Sequence, residues 1–465
     1  MSDRVSSGSE RLDDMLGGGL PGNGINLIIG LPGSGKTILA QQYAFHNATP
    51  ERPAIYLSTV SEPLEKILRY GQTLSFFDQR AVGTAVYYED LGGTVNDEGL
   101  PGVLERISGF LKERRPGMII IDSFKALHPY ARRDEDFRRF LHELAGRLSA
   151  FPVTSFWVGE YGHDEISGSA EFAVADSILS LSVERAAGGR EYRVFQVLKL
   201  RGSGFLTGKH AYRLSDDGVQ FFPRLADPVD QAPYVLEDIK ISSGIRILDE
   251  MLGQGYWPGA STLVAGPSGS GKTLMGLHFI FEGARSGEPG VIATLQENAA
   301  QLERIVNGFG WSLDEDGIEL MYRTPVDLYL DEWVHELLER VEATGARRIV
   351  IDSLGDLRVA STDETRFREY VYSLLQRCSR QGVSVMMTQE VGDLFGVTRL
   401  SEFGISHISD NVVLLQFLRG ESRVKRGITV MKTRASAHDA QIREFEITAD
   451  GFVVGDHFAA DQDLV

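Results

Sequence analysis

Two octapeptides carry the clearest chemistry in this chain. Gly30-Leu31-Pro32-Gly33-Ser34-Gly35-Lys36-Thr37 and Gly266-Pro267-Ser268-Gly269-Ser270-Gly271-Lys272-Thr273 each fit G-x-x-x-x-G-K-[ST], and they start 236 residues apart, at Gly30 and Gly266. Such a loop lets the backbone N–H groups of Gly33, Ser34 and Gly35, or of Gly269, Ser270 and Gly271, curl around phosphate oxygens. Lys36 and Lys272 add a mobile cation over the outer phosphates, and the hydroxyls of Thr37 and Thr273 suit Mg2+. A glycine-rich turn that merely opens a helix would explain one copy alone, but it explains two copies in register poorly. Two nucleotide sites in one chain, with ATP and Mg2+ as ligands, are therefore expected.

A loop of this kind needs a strand before it and a helix after it. Further strands come from the apolar runs Ala54–Ser58 and Gly290–Thr294, and from Gly117-Met118-Ile119-Ile120-Ile121-Asp122 and Arg348-Ile349-Val350-Ile351-Asp352. Runs that are apolar on both faces belong to central strands of a parallel sheet covered by helices. An Asp at the carboxyl end of such a strand, beside the phosphate loop, orients Mg2+ or its bound water, and Asp122 and Asp352 take that role. Ser123 and Ser353 follow them in both copies.

The duplication extends beyond the loops. Val5-Ser6-Ser7-Gly8 with Arg11-Leu12-Asp13-Asp14-Met15-Leu16-Gly17 returns as Ile241-Ser242-Ser243-Gly244 with Ile247-Leu248-Asp249-Glu250-Met251-Leu252-Gly253, again offset by 236. The expected organisation is an α/β domain over 1–223, a linker over 224–240 containing Pro228 and Pro233, a second α/β domain over 241–455, and a short acidic tail over 456–465.

Composition narrows the function classes. With 42% hydrophobic and 24% charged residues the chain matches ordinary globular proteins, and no run approaches the roughly 18 uncharged apolar residues that span a bilayer. Met1-Ser2-Asp3-Arg4 has no basic stretch leading into an apolar one, so a cytoplasmic protein is expected. The single cysteine, Cys378, in the helical pattern Tyr370–Arg380, fits a buried core thiol. A net charge of −18 argues against a nucleic-acid partner, because nonspecific affinity for phosphate backbones comes from clustered Lys and Arg. Arg114-Arg115, Arg132-Arg133 and Arg423-Val424-Lys425-Arg426 are short enough to be solvated turns or subunit contacts.

With the repeat laid out, both halves resemble the ATPase domains of the KaiC family, tandem relatives of RecA, over nearly the whole chain. The resemblance implies two RecA-like P-loop NTPase domains, a mostly parallel sheet in each. It rests on the loops, on Asp122 and Asp352, and on Leu198-Lys199-Leu200-Arg201-Gly202-Ser203 and Met431-Lys432-Thr433-Arg434-Ala435-Ser436 late in each copy. In the family, the Lys and Arg of this K-x-R motif reach across a subunit boundary to a neighbour's nucleotide. That assigns Lys199, Leu200, Arg201, Lys432, Thr433 and Arg434 to contacts made in trans. Two cations on one strand face suit charge developing on a transferring phosphoryl group. His438 and Asp439 also match the family pattern near the nucleotide, with Asp216 in a comparable place in the first copy.

The resemblance further implies self-association into a hexameric ring, signalling partner proteins, and a role in signalling or timing such as a circadian clock. The family's catalytic carboxylates, usually adjacent Glu residues after the strand that follows the P-loop helix, polarise water or accept a hydroxyl proton. Thr294-Leu295-Gln296-Glu297 keeps one, Glu297. In Thr59-Val60-Ser61-Glu62-Pro63 the aligned pair is Val60-Ser61, and Glu62 is displaced by one, which on an extended segment turns it to the other face. Lys36 and Lys272 complete the catalytic set. Some members autophosphorylate on adjacent Ser/Thr residues. Here Ser406 aligns with the first acceptor and His407 replaces the second, which implies serine autokinase activity in the second domain. Two alternatives stay open: a RecA/RadA-like DNA-repair ATPase, and a nucleotide-dependent scaffold with little turnover.

Overall fold

The computed structural model describes residues 4–457, apart from 61–62, 163–164, 167, 186–188, 190, 226–237, 327, 362–363, 393–404, 420–423, 435 and 450. Glu62, most of the expected linker and all of the tail beyond His457 lie outside the described residues. The chain divides into two units, Met1–Arg224 and Leu225–Val465.

The first unit is built on a nine-stranded sheet: β1 (Ile25–Ile29), β2 (Ala54–Ser58), β3 (Val86–Asp90), β4 (Met118–Asp122), β5 (Thr154–Gly159), β6 (Ser177–Arg185), β7 (Glu191–Leu200), β8 (His210–Ser215) and β9 (Gly218–Phe222), in spatial order β3-β2-β4-β5-β1-β6-β7-β8-β9. From β3 to β6 every neighbouring pair is parallel, and from β6 to β9 every pair is antiparallel. The second unit has β10 (Ser261–Gly266), β11 (Gly290–Thr294), β12 (Ile318–Tyr322), β13 (Arg348–Asp352), β14 (Ser384–Glu390), β15 (Asn411–Arg419), β16 (Val424–Thr433), β17 (Arg443–Thr448) and β18 (Gly451–His457), in the order β12-β11-β13-β14-β10-β15-β16-β17-β18. Adding nine to each label of the first sheet gives the second. The expected pair of mostly parallel RecA-like α/β sheets is what folds. The final strand pairs His457 with Arg443 and so runs two residues past the expected boundary at 455.

Why the strands read as unbroken apolar runs is plain from their two faces. Leu27, Ile55, Ile119 and Trp157 pack into one core, and Ile28, Tyr56, Ile120 and Phe156, one residue on, into another that also takes Leu39 and Tyr43 of the P-loop helix Lys36–Asn47. In the second unit Val291 and Ile349 face one core, while Ile292 and Val350 face the other with Leu277 and Phe281 of the helix Lys272–Arg285. Period-two alternation on a sheet buried on both sides removes any polar face.

One charge is set inside this core. Arg348, which opens β13, has a side chain 1% exposed; it pairs with Glu288 at 2.6 Å and donates to the carbonyls of Ser242 and Phe279, each at 2.8 Å. The first unit places Met118 there, facing Ala54 as Arg348 faces Gly290. Removing the buried guanidinium leaves a cavity and two carbonyls without their donor, with Glu288 30% exposed to water, so Arg348→Ala is expected to cost about 3 kcal/mol of stability in denaturant melts. The matching change Met118→Ala is a large-to-small apolar deletion and should cost about 2–5 kcal/mol without exposing a charge.

Candidate nucleotide sites

Each phosphate loop joins the carboxyl end of a central strand to a helix. Gly35 and Gly271 sit at the helix N-caps with φ of 91° and 105°, in the left-handed region. A Cβ on Gly35 would lie 2.6 Å from Leu214 Cδ2, so both torsion and space demand glycine. At Gly33 and Gly269, with φ of 75° and 74°, a Cβ would meet nothing within 4 Å, which marks an open concavity above the loop. Ser34 Oγ and Ser270 Oγ, buried in the loops, have no hydrogen-bond partner. Left-handed glycines beside an orphaned buried hydroxyl are what an anion completes. The loops therefore fit the phosphates of a nucleotide.

The lysines close on the loops themselves. Lys36 Nζ donates to Leu31 O and Lys272 Nζ to Pro267 O, both at 2.9 Å and both five residues back. Burial pulls the pKa of each ammonium down, while carboxylates push it up again: Glu160 and Asp122 around Lys36, and Glu390, Asp352 and Glu297 around Lys272.

Asp122 and Asp352 lie where the strand-end argument puts them. Thr37 Oγ1 donates to Asp122 Oδ2 at 2.7 Å, and Thr273 Oγ1 to Asp352 Oδ2 at 2.6 Å, so each pair of expected metal-orienting groups is assembled. A second donor fixes each carboxylate, and it differs between units. Tyr56 OH, on β2, donates to Asp122 Oδ2 at 2.5 Å; in the second unit the donor to Asp352 Oδ1 is Thr388, on β14. Neither donor was expected from the sequence, because each lies inside an apolar run.

Glu297 approaches the same place. Its Oε2 is buried without a hydrogen-bond partner, and burial first, then Asp352, raise its pKa above the ordinary carboxylate range. A general base works only when ionised, so activity that needs Glu297 is lost as pH falls through this raised pKa. With the first site silenced by Lys36→Ala, the acid limb of the kcat profile is expected above the usual range for glutamate, and Glu297→Gln should remove that limb along with most of the remaining rate.

In the first unit Val60 is exposed, and Ser61 and Glu62 lie outside the described residues. The following helices show why offset 236 misaligns here. Ile67 and Gly71 of Leu64–Gly71 are buried as Leu302 and Val306 of Ala299–Asn307 are, an offset of 235. The connection from β2 is one residue longer than that from β11, so Glu62, two residues before its helix, holds in sequence the place of Glu297.

A cavity of about 930 Å3 opens beside the first loop, lined by the polar Lys36, Thr37, Asp122 and Glu160 and by Ile67, Tyr70 and Leu74. Its size and mixed lining suit a nucleotide.

The K-x-R residues lie elsewhere. Lys199 is level with Ile178, at the start of β6, and Lys432 with Val412, near the start of β15. These strands run parallel to the loop strands, so both lysines sit at the edge opposite their own phosphate loop. On β7, Arg193 Nη1 reaches Gly33 O of the loop at 2.9 Å; Lys199 is six residues on, or about 20 Å at ~3.3 Å per residue. Within the chain Lys199 Nζ binds Phe172 O at 3.1 Å, Arg201 pairs with Asp176 at 3.4 Å, Lys432 Nζ binds Ser406 O at 3.0 Å and Ser409 O at 2.6 Å, and Arg434 binds His407 O at 2.7 Å and Asp410 at 3.4 Å. The middle residues point inward: Leu200 packs in the core and Thr433 Oγ1 is buried.

Ser406 is half-buried in the short helix Ile405–Ile408, at the same edge as Lys432, while Ser409 is buried with its hydroxyl on Ile405 O at 3.0 Å. His438 is exposed; Asp439 accepts from Arg443 at 2.9 Å and donates its N–H to Met251 O. Asp216 lies exposed in the turn between β8 and β9, its carbonyl accepting from Ser75 N.

The family model for the KaiC ATPase matches residues 5–226 and again 241–458. The chain belongs to the KaiC ATPase family. Among the KaiC relatives, the circadian clock oscillator proteins KaiC of Rippkaea orientalis and of Picosynechococcus are each 29% identical to it, over 97% of this chain and 88% and 89% of theirs. That of Nostoc is 26% identical over 98% of this chain and 90% of its own. The KaiC match spans both units, so the tandem ATPase architecture belongs to the chain as a whole. Among the described residues no helix is long and apolar enough to cross a membrane.

Proposed function

We propose that the chain is an ATP-hydrolysing ring protein in which each K-x-R motif serves the nucleotide of a neighbouring copy. The observation that carries this is the placement of Lys199, Arg201, Lys432 and Arg434 at the sheet edge opposite their own phosphate loops. Cations so placed are useful to phosphoryl transfer only from a second subunit, and a head-to-tail interface whose rotation closes makes a ring. The family's match over both units supports a homo-oligomer, with six copies as the proposed number.

In each site Gly33, Ser34, Gly35 and Lys36, or Gly269, Ser270, Gly271 and Lys272, hold the phosphates. Thr37 with Asp122, and Thr273 with Asp352, would hold Mg2+, which when bound neutralises charge on the transferring phosphoryl group. In the second site Glu297 takes the proton of the attacking water. Ser406, beside Lys432 on the trans edge, is proposed as acceptor in an autokinase reaction: its hydroxyl oxygen bonds to the γ-phosphorus, the bond to the β-phosphate oxygen breaks, and the hydroxyl proton goes to a neighbour's Glu297. Such phosphorylation makes timing or signalling in the cytoplasm, with partner proteins that sense the phosphorylated state, the proposed setting.

Phosphosite mass spectrometry after incubation with Mg2+ and ATP tests the kinase: phosphate on Ser406, lost with Lys272→Ala, supports it, and no phosphate anywhere removes it. ATP turnover measured with and without single-stranded DNA tests the class. Turnover indifferent to DNA fits the account, whereas strong stimulation favours a DNA-repair motor.

A further inference from the structure

We propose that Tyr56 and Thr388 are the positioning residues of the two metal sites, each holding the strand-end aspartate from a different neighbouring strand, at positions that can exchange the task. The proposal rests on Thr37 with Asp122, and Thr273 with Asp352, holding Mg2+, and it names what keeps those aspartates in place.

The two units reach one arrangement from opposite sides. In each sheet the aspartate strand has two neighbours: β4 lies between β2 and β5, and β13 between β11 and β14. Asp122 is level with Ser58 on β2 and with Val158 on β5. Tyr56, two residues before Ser58, donates its hydroxyl to Asp122 Oδ2 at 2.5 Å. In the second unit Ile351 is level with Met387, so the next residues, Asp352 and Thr388, lie side by side, and Thr388 Oγ1 donates to Asp352 Oδ1.

Register identifies the matching positions. Ala54 faces Met118 as Gly290 faces Arg348, so Tyr56 corresponds to Ile292. Val158 is level with Ile28 of the loop strand as Thr388 is with Val264, two residues before Gly30 and Gly266, so Val158 corresponds to Thr388. The first unit therefore has Tyr and Val where the second has Ile and Thr. Each site keeps one hydroxyl between the two positions, and the strand that supplies it has changed.

All four side chains are buried. A hydroxyl inside an apolar core is unfavourable unless it is bonded, and each of these is bonded to its aspartate. The Thr37 and Thr273 hydroxyls are the ones assigned to Mg2+, so their bonds to the aspartates are not what orients the carboxylates in a loaded site. Tyr56 and Thr388, set within the sheet, keep theirs. Partners of this outer kind fix the direction of a metal-holding carboxylate, and losing one typically costs about 10–100-fold in metal affinity.

The test follows binding of a fluorescent ATP analogue to the full-length chain as Mg2+ is raised. Tyr56→Phe removes the hydroxyl and keeps the ring beside Tyr88, 5.2 Å away between centroids; Thr388→Val is close to isosteric. Tyr56→Phe is expected to move the Mg2+ midpoint of half the binding amplitude upward by about 10–100-fold, Thr388→Val that of the other half, and the double variant both. The full amplitude should return at saturating Mg2+ in every case. Adding Val158→Thr to Tyr56→Phe supplies a hydroxyl from the strand that the second unit uses, and should bring the midpoint back to the parent's. A midpoint unchanged in either single variant overturns the proposal, as does a shift that Val158→Thr leaves in place. So does an amplitude that stays low at saturating Mg2+, which would make the hydroxyl part of the fold of the site. A parent that binds the analogue equally with and without Mg2+ overturns it with the phosphate cradles standing, whereas a parent that binds no analogue removes the nucleotide sites themselves.

Discussion

Replacing Lys272 with alanine is expected to lower turnover at the second site by about 10²–10³-fold, the scale of losing one preorganised hydrogen-bond donor to a transition state. The surroundings make the loss worse than neutral. Burial already works against the ammonium, and Glu390, Asp352 and Glu297 hold it charged. Without it the three carboxylates act on the site with one counter-charge fewer, so binding should weaken together with turnover. Lys36→Ala should do the same at the first site, where Glu160 and Asp122 are the facing groups. Phosphate release and analogue binding, measured for each variant, check both. Unchanged turnover in the double variant Lys36→Ala with Lys272→Ala would mean that neither cradle is the site of hydrolysis.

Arg434→Ala carries the other large effect. An arginine supplied to a phosphoryl group from a neighbour is worth about 10³–10⁵ in kcat, and Arg434 is half-exposed at the edge opposite its own loop. In the isolated chain its guanidinium rests on Asp410 and on the carbonyl of His407, at 3.4 and 2.7 Å, a surface arrangement that releases the side chain at little cost. The direct check is complementation. Lys272→Ala lacks a cradle but keeps Arg434, and Arg434→Ala has the reverse. Each alone, with Lys36→Ala silencing the first site in both, should be nearly inactive. Mixed and reassembled, on the order of a quarter of head-to-tail interfaces join an intact cradle to an intact arginine, and activity should return in that proportion. Mixtures as inactive as their components would place the arginine's effect within its own chain.

The features that were legible in the sequence are those whose chemistry is local. The loop glycines, Lys36 and Thr37 lie within eight residues, and Asp122 and Asp352 end recognisable apolar runs, so spacing alone identified them. Tyr56, Thr388, Glu160 and Glu390 were not legible for the opposite reason. Tyr56 and Thr388 sit inside apolar strands, where alternation assigns them to packing, and only strand order puts them on the two sides of the Asp strand. Glu160 and Glu390 look like ordinary exposed acids at strand ends until β5 and β14 prove to be the neighbours of the loop strands. Arg348 opens an apolar run, and its burial depends on Glu288 and two carbonyls distant in sequence. The first copy's missing carboxylate is a matter of register: aligning from the loop displaces Glu62, and aligning from the helix that follows restores it, because the connection between them is one residue longer.

The proposed trans role of K-x-R came from resemblance, and the sheet supplies a physical argument for it. Strand β7 enters beside its own loop at Arg193 and leaves at the far edge with Lys199 and Arg201. A cation's usefulness to its own site is decided by which end of an antiparallel strand it occupies, which a motif does not reveal.

Two phosphate cradles in one chain, each dependent on its own lysine, are the centre of this account, and nucleotide stoichiometry tests them most directly. Equilibrium binding of a slowly hydrolysed ATP analogue with Mg2+ should saturate at two per chain in the parent, at one in Lys36→Ala and in Lys272→Ala, and at none in the double variant. Saturation at one per chain in the parent, or binding in the double variant equal to the parent's, would contradict it.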